Sequence, residues 1–317
     1  MLDLPFMSEL DPAKSILIAG AGGGYDVFSG LPLYFGLVSA GKNVHLANLS
    51  FTQLSLMEGE RLTPTMLTVT ADTERNDWYF PEQYLCKWFR ERENREVSIH
   101  CFERTGVKPL LASYKELVKT LYVDTVILVD GGTDSLMRGD EDGIGTPQED
   151  IASIAAITDL EIDRKLMVCL GFGVDHYHGV SNALTLNAIA DLTRIKGFLG
   201  MFSLLADMPE VRKYREATEF VLKCMPGGVS IVSTSILSSL EGRYGDYHPT
   251  SRTKGSKLWI NPLMSVYWCF SLDAVAQRIL YLEAMKDTHS YADINLTIAK
   301  FRQTLKGDVK HRHPIPD

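Results

Sequence analysis

Three stretches of this chain repeat one pattern, and that pattern restricts the fold more than any other feature. Ser15–Asp26 reads SILIAGAGGGYD, Thr125–Asp134 reads TVILVDGGTD, and Lys165–Asp175 reads KLMVCLGFGVD. Each is an apolar run of strand length that breaks into glycine and then places Gly-x-Asp: Gly24-Tyr25-Asp26, Gly132-Thr133-Asp134 and Gly173-Val174-Asp175. A continuous apolar run bounded by glycine is the signature of a strand buried on both faces. Helical patterns separate the runs, so the strands are expected to be parallel with their carboxyl ends on one edge. Ligands of open parallel sheets bind at that edge. Asp26, Asp134 and Asp175 are therefore expected around one cleft.

Taken in order, the chain alternates strands and helices. Residues 1–13 read as a leader. Residues 15–20 form the first strand, followed by a glycine loop and a helix to about Ala40, with Gly41 as its stop. That helix has two candidate starts: Asp26, which leaves Pro32 inside, or Ser29, which puts Pro32 in the tolerant first turn. Residues 43–48 are the second strand, and 49–80 an irregular excursion. A helix from Pro81 to about Glu93 precedes a third strand over Glu96–Phe102. A helix over Pro109–Tyr122 leads to a fourth strand, Thr125–Asp130. A long acidic loop ends at Thr146-Pro147-Gln148-Glu149, where threonine caps a helix and Glu149 completes a capping box, a structural role. A fifth strand (166–172), helices over Gly179–Leu192 and after Pro209, and a short sixth strand at Val229–Ser233 follow. Residues 241–257 form a polar loop, and Trp259–Phe270 is partly extended. Ser271 caps a helix to Met285. A last helix runs from Tyr291 to Leu305, and 307–317 is a loose tail. The pattern predicts one α/β domain over residues 1–317: a Rossmann-like, doubly wound, mostly parallel sheet with helices on both faces and a helical C-terminal part.

Composition narrows the function classes. A formal net charge of -8 argues against general nucleic-acid binding, which needs a basic face. No apolar stretch reaches the roughly 18 residues of a membrane span, and no secretory signal is visible. The five cysteines are widely spaced and odd in number, which disfavours a disulfide framework. Cys101 and Cys169 fall in apolar runs and read as buried small hydrophobes. A soluble cytoplasmic protein is expected.

The glycine loop after the first strand suits a phosphate or ribosyl group, because glycine lets the backbone come close and a helix N-terminus favours an anion. Gly22, Gly23 and Gly24 are the expected ligand contacts, with Asp26 and Asn48 beside them. The dinucleotide fingerprint G-x-G-x-x-G fails in both registers, its third position falling on Tyr25 or Val27. The second strand ends at Asn48 instead of an acid that would hold a ribose. The Walker pattern is missing its Lys-Ser/Thr.

A strand-end carboxylate can simply cap the next helix. Three at equivalent positions suit a divalent cation, sugar hydroxyls or acid–base work. Asp26, Asp134 and Asp175 form the candidate metal set. Asp134 and Asp175 are also the candidate catalytic carboxylates, with His176 or His178 assisting proton transfer near neutral pH. Gly131, Gly132 and Thr133 would contact ligand from the fourth strand, and Arg243 could hold a phosphate or carboxylate in two-point fashion. The acidic loop Asp140-Glu141-Asp142-Gly143 lacks EF-hand spacing and reads as a solvated loop, or else as a lid.

Ala21–Asp26, Asp130–Asp134, Gly145–Asp150 and Gly171–Asp175 together resemble a prokaryotic family catalogued as domain of unknown function 1152. The resemblance runs from the first strand to Asn261-Pro262. It brings no established activity, and it implies that the glycine–aspartate loops act as one set. The expected function is an enzyme that hydrolyses, or transfers a group on, a nucleotide, nucleoside or phosphorylated sugar, with or without Mg²⁺ or Ca²⁺. A non-catalytic ligand-binding sensor is the rival, and an NAD(P)-dependent oxidoreductase comes third. The expected partner is a small anionic or ribosyl metabolite, not nucleic acid or membrane, with a homo-oligomer left open.

Overall fold

The computed structural model describes residues 3–74, 78–256, 258–307 and 309–311. Its strands are β1 (Ser15–Gly20), β2 (Asn43–Leu49), β3 (Met66–Val69), β4 (Ile99–Phe102), β5 (Thr125–Asp130), β6 (Arg164–Cys169), β7 (Phe198–Ser203), β8 (Gly245–Asp246), β9 (Trp259–Ile260) and β10 (Val266–Ser271). Eight of them form one sheet in the order β3-β4-β2-β1-β5-β6-β10-β7, and β8 pairs with β9. β4, β2, β1, β5 and β6 are mutually parallel; β3, β10 and β7 join antiparallel.

The apolar runs form the sheet centre because they can bury both faces. Every residue of β1 and β5 is buried. Ile16, Ile18, Ile127 and Val129 face one core, and Leu17, Ala19, Val126 and Leu128 face the other. This period of two splits the interior into two layers. Helices Val107–Leu121, Pro147–Thr158, Asn182–Arg194 and Tyr291–Thr304 cover one face. Helices Leu31–Ser39, Pro81–Glu93, Pro209–Cys224 and Ile231–Leu240 cover the other. The mixed α/β fold, with its mostly parallel sheet and helical C-terminal part, is as the pattern predicted.

The chain order gives this sheet a switch point. From β1 the chain winds outward through β2 to β4, then returns to β5 on the other side of β1. The connections after β1 and β5 thus leave in opposite directions, which opens a crevice at their carboxyl ends.

Several elements depart from the sequence reading. Val229–Ser233 is not a strand: Ser230 caps the helix Ile231–Leu240 by accepting the Ser233 N–H at 3.0 Å. Hydroxyls of Thr234, Ser235 and Ser238 donate to carbonyls four residues back, which satisfies them within the helix. β3, β7 and β10 lie in stretches read as irregular, unassigned or partly extended. The helix expected from Ser271 to Met285 is split into Leu272–Ala276 and Leu282–Lys286. Between them Leu280 N–H and the Arg278 guanidinium donate to Arg138 and Leu136 carbonyls. After β1 the helix breaks at Gly30, where a Cβ would lie 2.6 Å from Ile18 Cγ2. Pro32 then opens the second piece. Thr146 makes no side-chain cap, so the capping box with Glu149 does not form. Glu149 is buried and instead accepts the Tyr291 hydroxyl at 2.8 Å. The leader contains a helix, Pro5–Leu10, that buries Phe6. In the expected loose tail Lys310 bridges to Glu141; residues 308 and 312–317 lie outside the described residues. Among the described residues no helix is long and apolar enough to cross a membrane.

Candidate functional site

The carboxyl ends of β1, β5 and β6 bring five aspartates together. Asp130 ends β5, and Asp26, Asp134 and Asp175 lie in the loops after β1, β5 and β6. Asp150 comes from the first turn of the helix Pro147–Thr158, which docks on the glycine loop through Ser153 Oγ–H donating to the Ala21 carbonyl at 2.8 Å. Carboxylate oxygens of Asp26, Asp130 and Asp150 all lie within 4.8 Å of one another. Asp130, Asp134, Asp150 and Asp175 are buried, while Asp26 and Gly22 are half-buried and mark the approach from solvent.

Helix capping does not explain these side chains. Asp175 accepts the Thr133 N–H at 2.6 Å, which ties the β6 loop to the β5 loop. Asp134 accepts the Thr146 N–H at 2.8 Å, which ties the β5 loop to the next helix. Asp26 accepts the Gly22 N–H at 2.6 Å and folds the glycine loop onto itself. Asp130 accepts the Ser135 hydroxyl. Asp150 Oδ1 is buried and makes no hydrogen bond.

The glycines make room for the carboxylates. A Cβ at Gly22 would lie 2.8 Å from Asp150 Oδ1 and 3.0 Å from Asp26 Oδ2. At Gly131 it would lie 2.6 Å from Asp26 Oδ1, at Gly132 2.6 Å from Asp175 Oδ2, and at Gly145 2.2 Å from Asp134 Oδ2. Real side chains do not approach that closely, so four positions must be glycine for four acids to converge.

The electrostatics follow from burial and crowding. Burial pushes the Asp26 carboxyl up to about 8, with Asp134 and Asp175 adding to it and the Gly22 N–H opposing it. Burial, then Asp134 and Asp26, holds Asp130 well above the usual carboxylate range. Burial, then Asp134, Asp130 and Asp26, does the same for Asp150, and burial, then Asp134 and Asp130, for Asp175. Asp134 is also raised by burial, opposed by the Thr146 amide and by the nearby His178. Without a cation, such a cluster must hold protons.

The remaining predicted residues fall around this centre. Gly22 touches it, whereas Gly23 and Gly24 face Phe51 and Tyr79. The loop amides are largely committed: Ala21 N–H to Val129 O, Gly22 N–H to Asp26, and Gly24 N–H to Leu49 O. Asn48 is fully buried behind the loop, donating to Gly24 O and Glu82 Oε1, both at 2.8 Å. Gly131 and Gly132 cushion acids, and Thr133 holds Asp175. His176 is turned toward Val180 O, and His178 is exposed. Arg243 is exposed over the Tyr247 ring, and among the described residues no hydrogen bond or ion pair joins it to the aspartates. The acidic loop is not a solvated one: Glu141 is buried and accepts the Arg138 and Gly139 amides. Asp130 and Asp150 escaped the sequence reading. The signal for Asp150 was its place at the head of a helix apolar on all sides, which must be buried.

The family model described as protein of unknown function DUF1152 matches residues 17–304. The chain belongs to the DUF1152 family. All five aspartates of this DUF1152 site lie inside the matched span. No curated protein and no solved structure matches the chain.

Proposed function

We propose that this DUF1152 protein is a divalent-cation-dependent enzyme that binds a nucleotide, nucleoside or phosphorylated sugar and hydrolyses it or transfers a group from it. The observation that carries this reading is the triple of half-buried Asp26 with buried Asp130 and Asp150, their carboxylate oxygens within 4.8 Å of one another at the sheet's switch point. Hard cations such as Mg²⁺ and Ca²⁺ take carboxylate oxygens, and they would neutralise charges that burial otherwise forbids. The unpartnered Asp150 Oδ1 fits the same role. When bound, such a cation neutralises negative charge on a phosphoryl oxygen.

The residues of the chain divide the remaining work. Asp134 and Asp175 hold the β5 loop in register with the following helix and with the β6 loop, through the Thr146 and Thr133 amides. His178, exposed at the rim and close enough to lower Asp134, suits proton exchange with solvent. The glycine loop serves as a cushion under the acids rather than as an anion cradle, since the Ala21, Gly22 and Gly24 amides are spent within the protein. A nicotinamide dinucleotide is disfavoured for the same reason, and because Asn48 is sealed behind the loop.

Native mass spectrometry of the purified protein tests the reading. At least one Mg²⁺, Mn²⁺ or Ca²⁺ per chain is expected, lost in Asp150→Asn, together with cation-dependent phosphate release from nucleoside or sugar phosphates. Retention of these ligands without turnover would assign a sensor instead. No cation by mass spectrometry or calorimetry would end the cation model.

A further inference from the structure

We propose that the pocket beside Phe51 and Arg104 holds the base of a nucleoside phosphate whose phosphates face the Asp26–Asp130–Asp150 triple. This rests on the cation reading above and narrows it from phosphorylated metabolites in general to those carrying a planar base.

The pocket lies on the same sheet edge, on the β2 side of the switch point. It is lined by residues 50–55 after β2 and by Glu103 and Arg104 after β4, and its volume is about 360 Å³. Phe51, Gln53 and Ser55 are exposed, while Thr52 and Leu54 between them are buried. The segment is thus anchored by alternate residues: Thr52 Oγ1–H donates to the Tyr79 carbonyl at 2.7 Å, and Leu54 joins the core. The other three side chains present one aromatic ring, one amide and one hydroxyl to solvent.

The ring is tied to the acidic centre through the glycine loop. A Cβ on Gly23 would lie 2.8 Å from Phe51 Cε1, and a Cβ on the preceding Gly22 would lie 2.8 Å from Asp150 Oδ1. Consecutive Cα atoms are 3.80 Å apart. The aromatic ring and Asp150 therefore pack against consecutive glycines of one loop.

Arg104 lies over the ring, and its exposed guanidinium offers the outer plane of the stack. Its guanidinium carbon lies 5.3 Å from the Phe51 ring centroid and 5.4 Å from that of Tyr291. Tyr291 in turn donates to Glu149, the neighbour of Asp150. Arg104 makes no ion pair among the described residues, whereas adjacent Glu103 pairs with Arg61 at 3.5 Å. An exposed ring beside an exposed guanidinium is how proteins stack a nucleobase, and the Gln53 and Ser55 side chains can bond its edge. A bare sugar phosphate has no π-face to use this surface.

The test is calorimetric titration of the intact protein in Mg²⁺ with ADP, GDP, CDP and UDP, against pyrophosphate and ribose 5-phosphate. At least one nucleoside diphosphate should bind about tenfold tighter than pyrophosphate, the scale of one stacked base. Phe51→Ala should remove that advantage and leave pyrophosphate binding unchanged. Phe51→Leu, which keeps apolar contact with Gly23 but loses the π-face, should do the same. If every nucleotide binds no tighter than pyrophosphate, or if both variants weaken pyrophosphate and nucleotides equally, the base pocket is refuted while the cation site stands. If Mg²⁺ itself gives no binding heat and no probe binds, both readings fall.

Discussion

Replacing Asp150 with Asn should stabilise the protein without a divalent cation and destroy its response to one. Asp150 lies within 4.8 Å of both Asp26 and Asp130, measured between carboxylate oxygens. Two unit charges at that separation repel by about 3.5 kcal/mol at an effective dielectric of about 20. Protons held by the cluster, whose carboxyls burial and mutual repulsion raise above their usual range, relieve part of this repulsion, so the net gain on removing one acid is roughly 2–3 kcal/mol. Asn adds a donor that either neighbouring carboxylate can accept. In a chain of this size each kcal/mol moves the melting temperature by about 2–4 °C, so metal-free Asp150→Asn should melt roughly 5–10 °C above the parent. Adding Mn²⁺ should raise the parent's melting temperature and leave the variant's nearly unchanged. Differential scanning calorimetry with chelator and with Mn²⁺ reads both signs. A variant that melts below the parent in chelator, and still responds to Mn²⁺, would show that Asp150 is a structural acceptor.

Two other sites give independent outcomes. Burial raises Glu82 to about 7, against the opposing hydrogen bond from Asn48; because the folded state holds this proton more tightly than the unfolded chain, its contribution is complete below pH 4.5 and is lost as pH rises through 7. Glu82→Gln should therefore flatten the fall in stability across that window by on the order of 3 kcal/mol, read as the difference between parent and variant melts. Gly23 has φ of +91°, and a Cβ there would meet Phe51 Cε1 at 2.8 Å and Leu49 O at 2.9 Å; Gly23→Ala should cost about 1–3 kcal/mol in chemical denaturation, and an unchanged midpoint would mean the loop relaxes freely.

The sheet centre was legible because burial on both faces leaves a composition signal. SILIAG and TVILVD contain no residue that tolerates water on either face except at their ends, and both proved buried throughout. The antiparallel part was not legible. β10 slots between β6 and β7 although it follows β6 by almost a hundred residues, and its neighbours are set by tertiary contacts instead of local pattern. Val229–Ser233 misled because a five-residue β-branched and serine run fits a short strand as well as a helix start. At the site, Asp26, Asp134 and Asp175 could be found because each sits two residues after a glycine. Asp130 was hidden as the last residue of a strand. Asp150 was hidden because the threonine and glutamate before it mimic a capping box, a local pattern that competes with the tertiary fact that Thr146 serves Asp134.

The same residues explain why the glycines and the acids recur together. A strand end alone does not aim a carboxylate inward; the chain after it normally turns toward solvent, where an acid is cheap to keep. Here glycines stand in the turns, and the missing Cβ is replaced by a carboxylate from another part of the chain: Asp150 of the following helix over Gly22, Asp26 over Gly131, Asp175 over Gly132 and, within one long connection, Asp134 over Gly145. The β1 and β5 loops therefore each provide both an acid and the space for an acid from elsewhere, while the β6 loop provides Asp175 alone. Such interlocking stabilises nothing by itself, since it gathers like charges in a buried place. It persists because the amides of Gly22, Thr133 and Thr146 offset part of the charge. The remainder, concentrated on Asp26, Asp130 and Asp150, is the charge that a bound cation would complete. A fold selected for stability alone would place apolar side chains there, as the rest of β1 and β5 does.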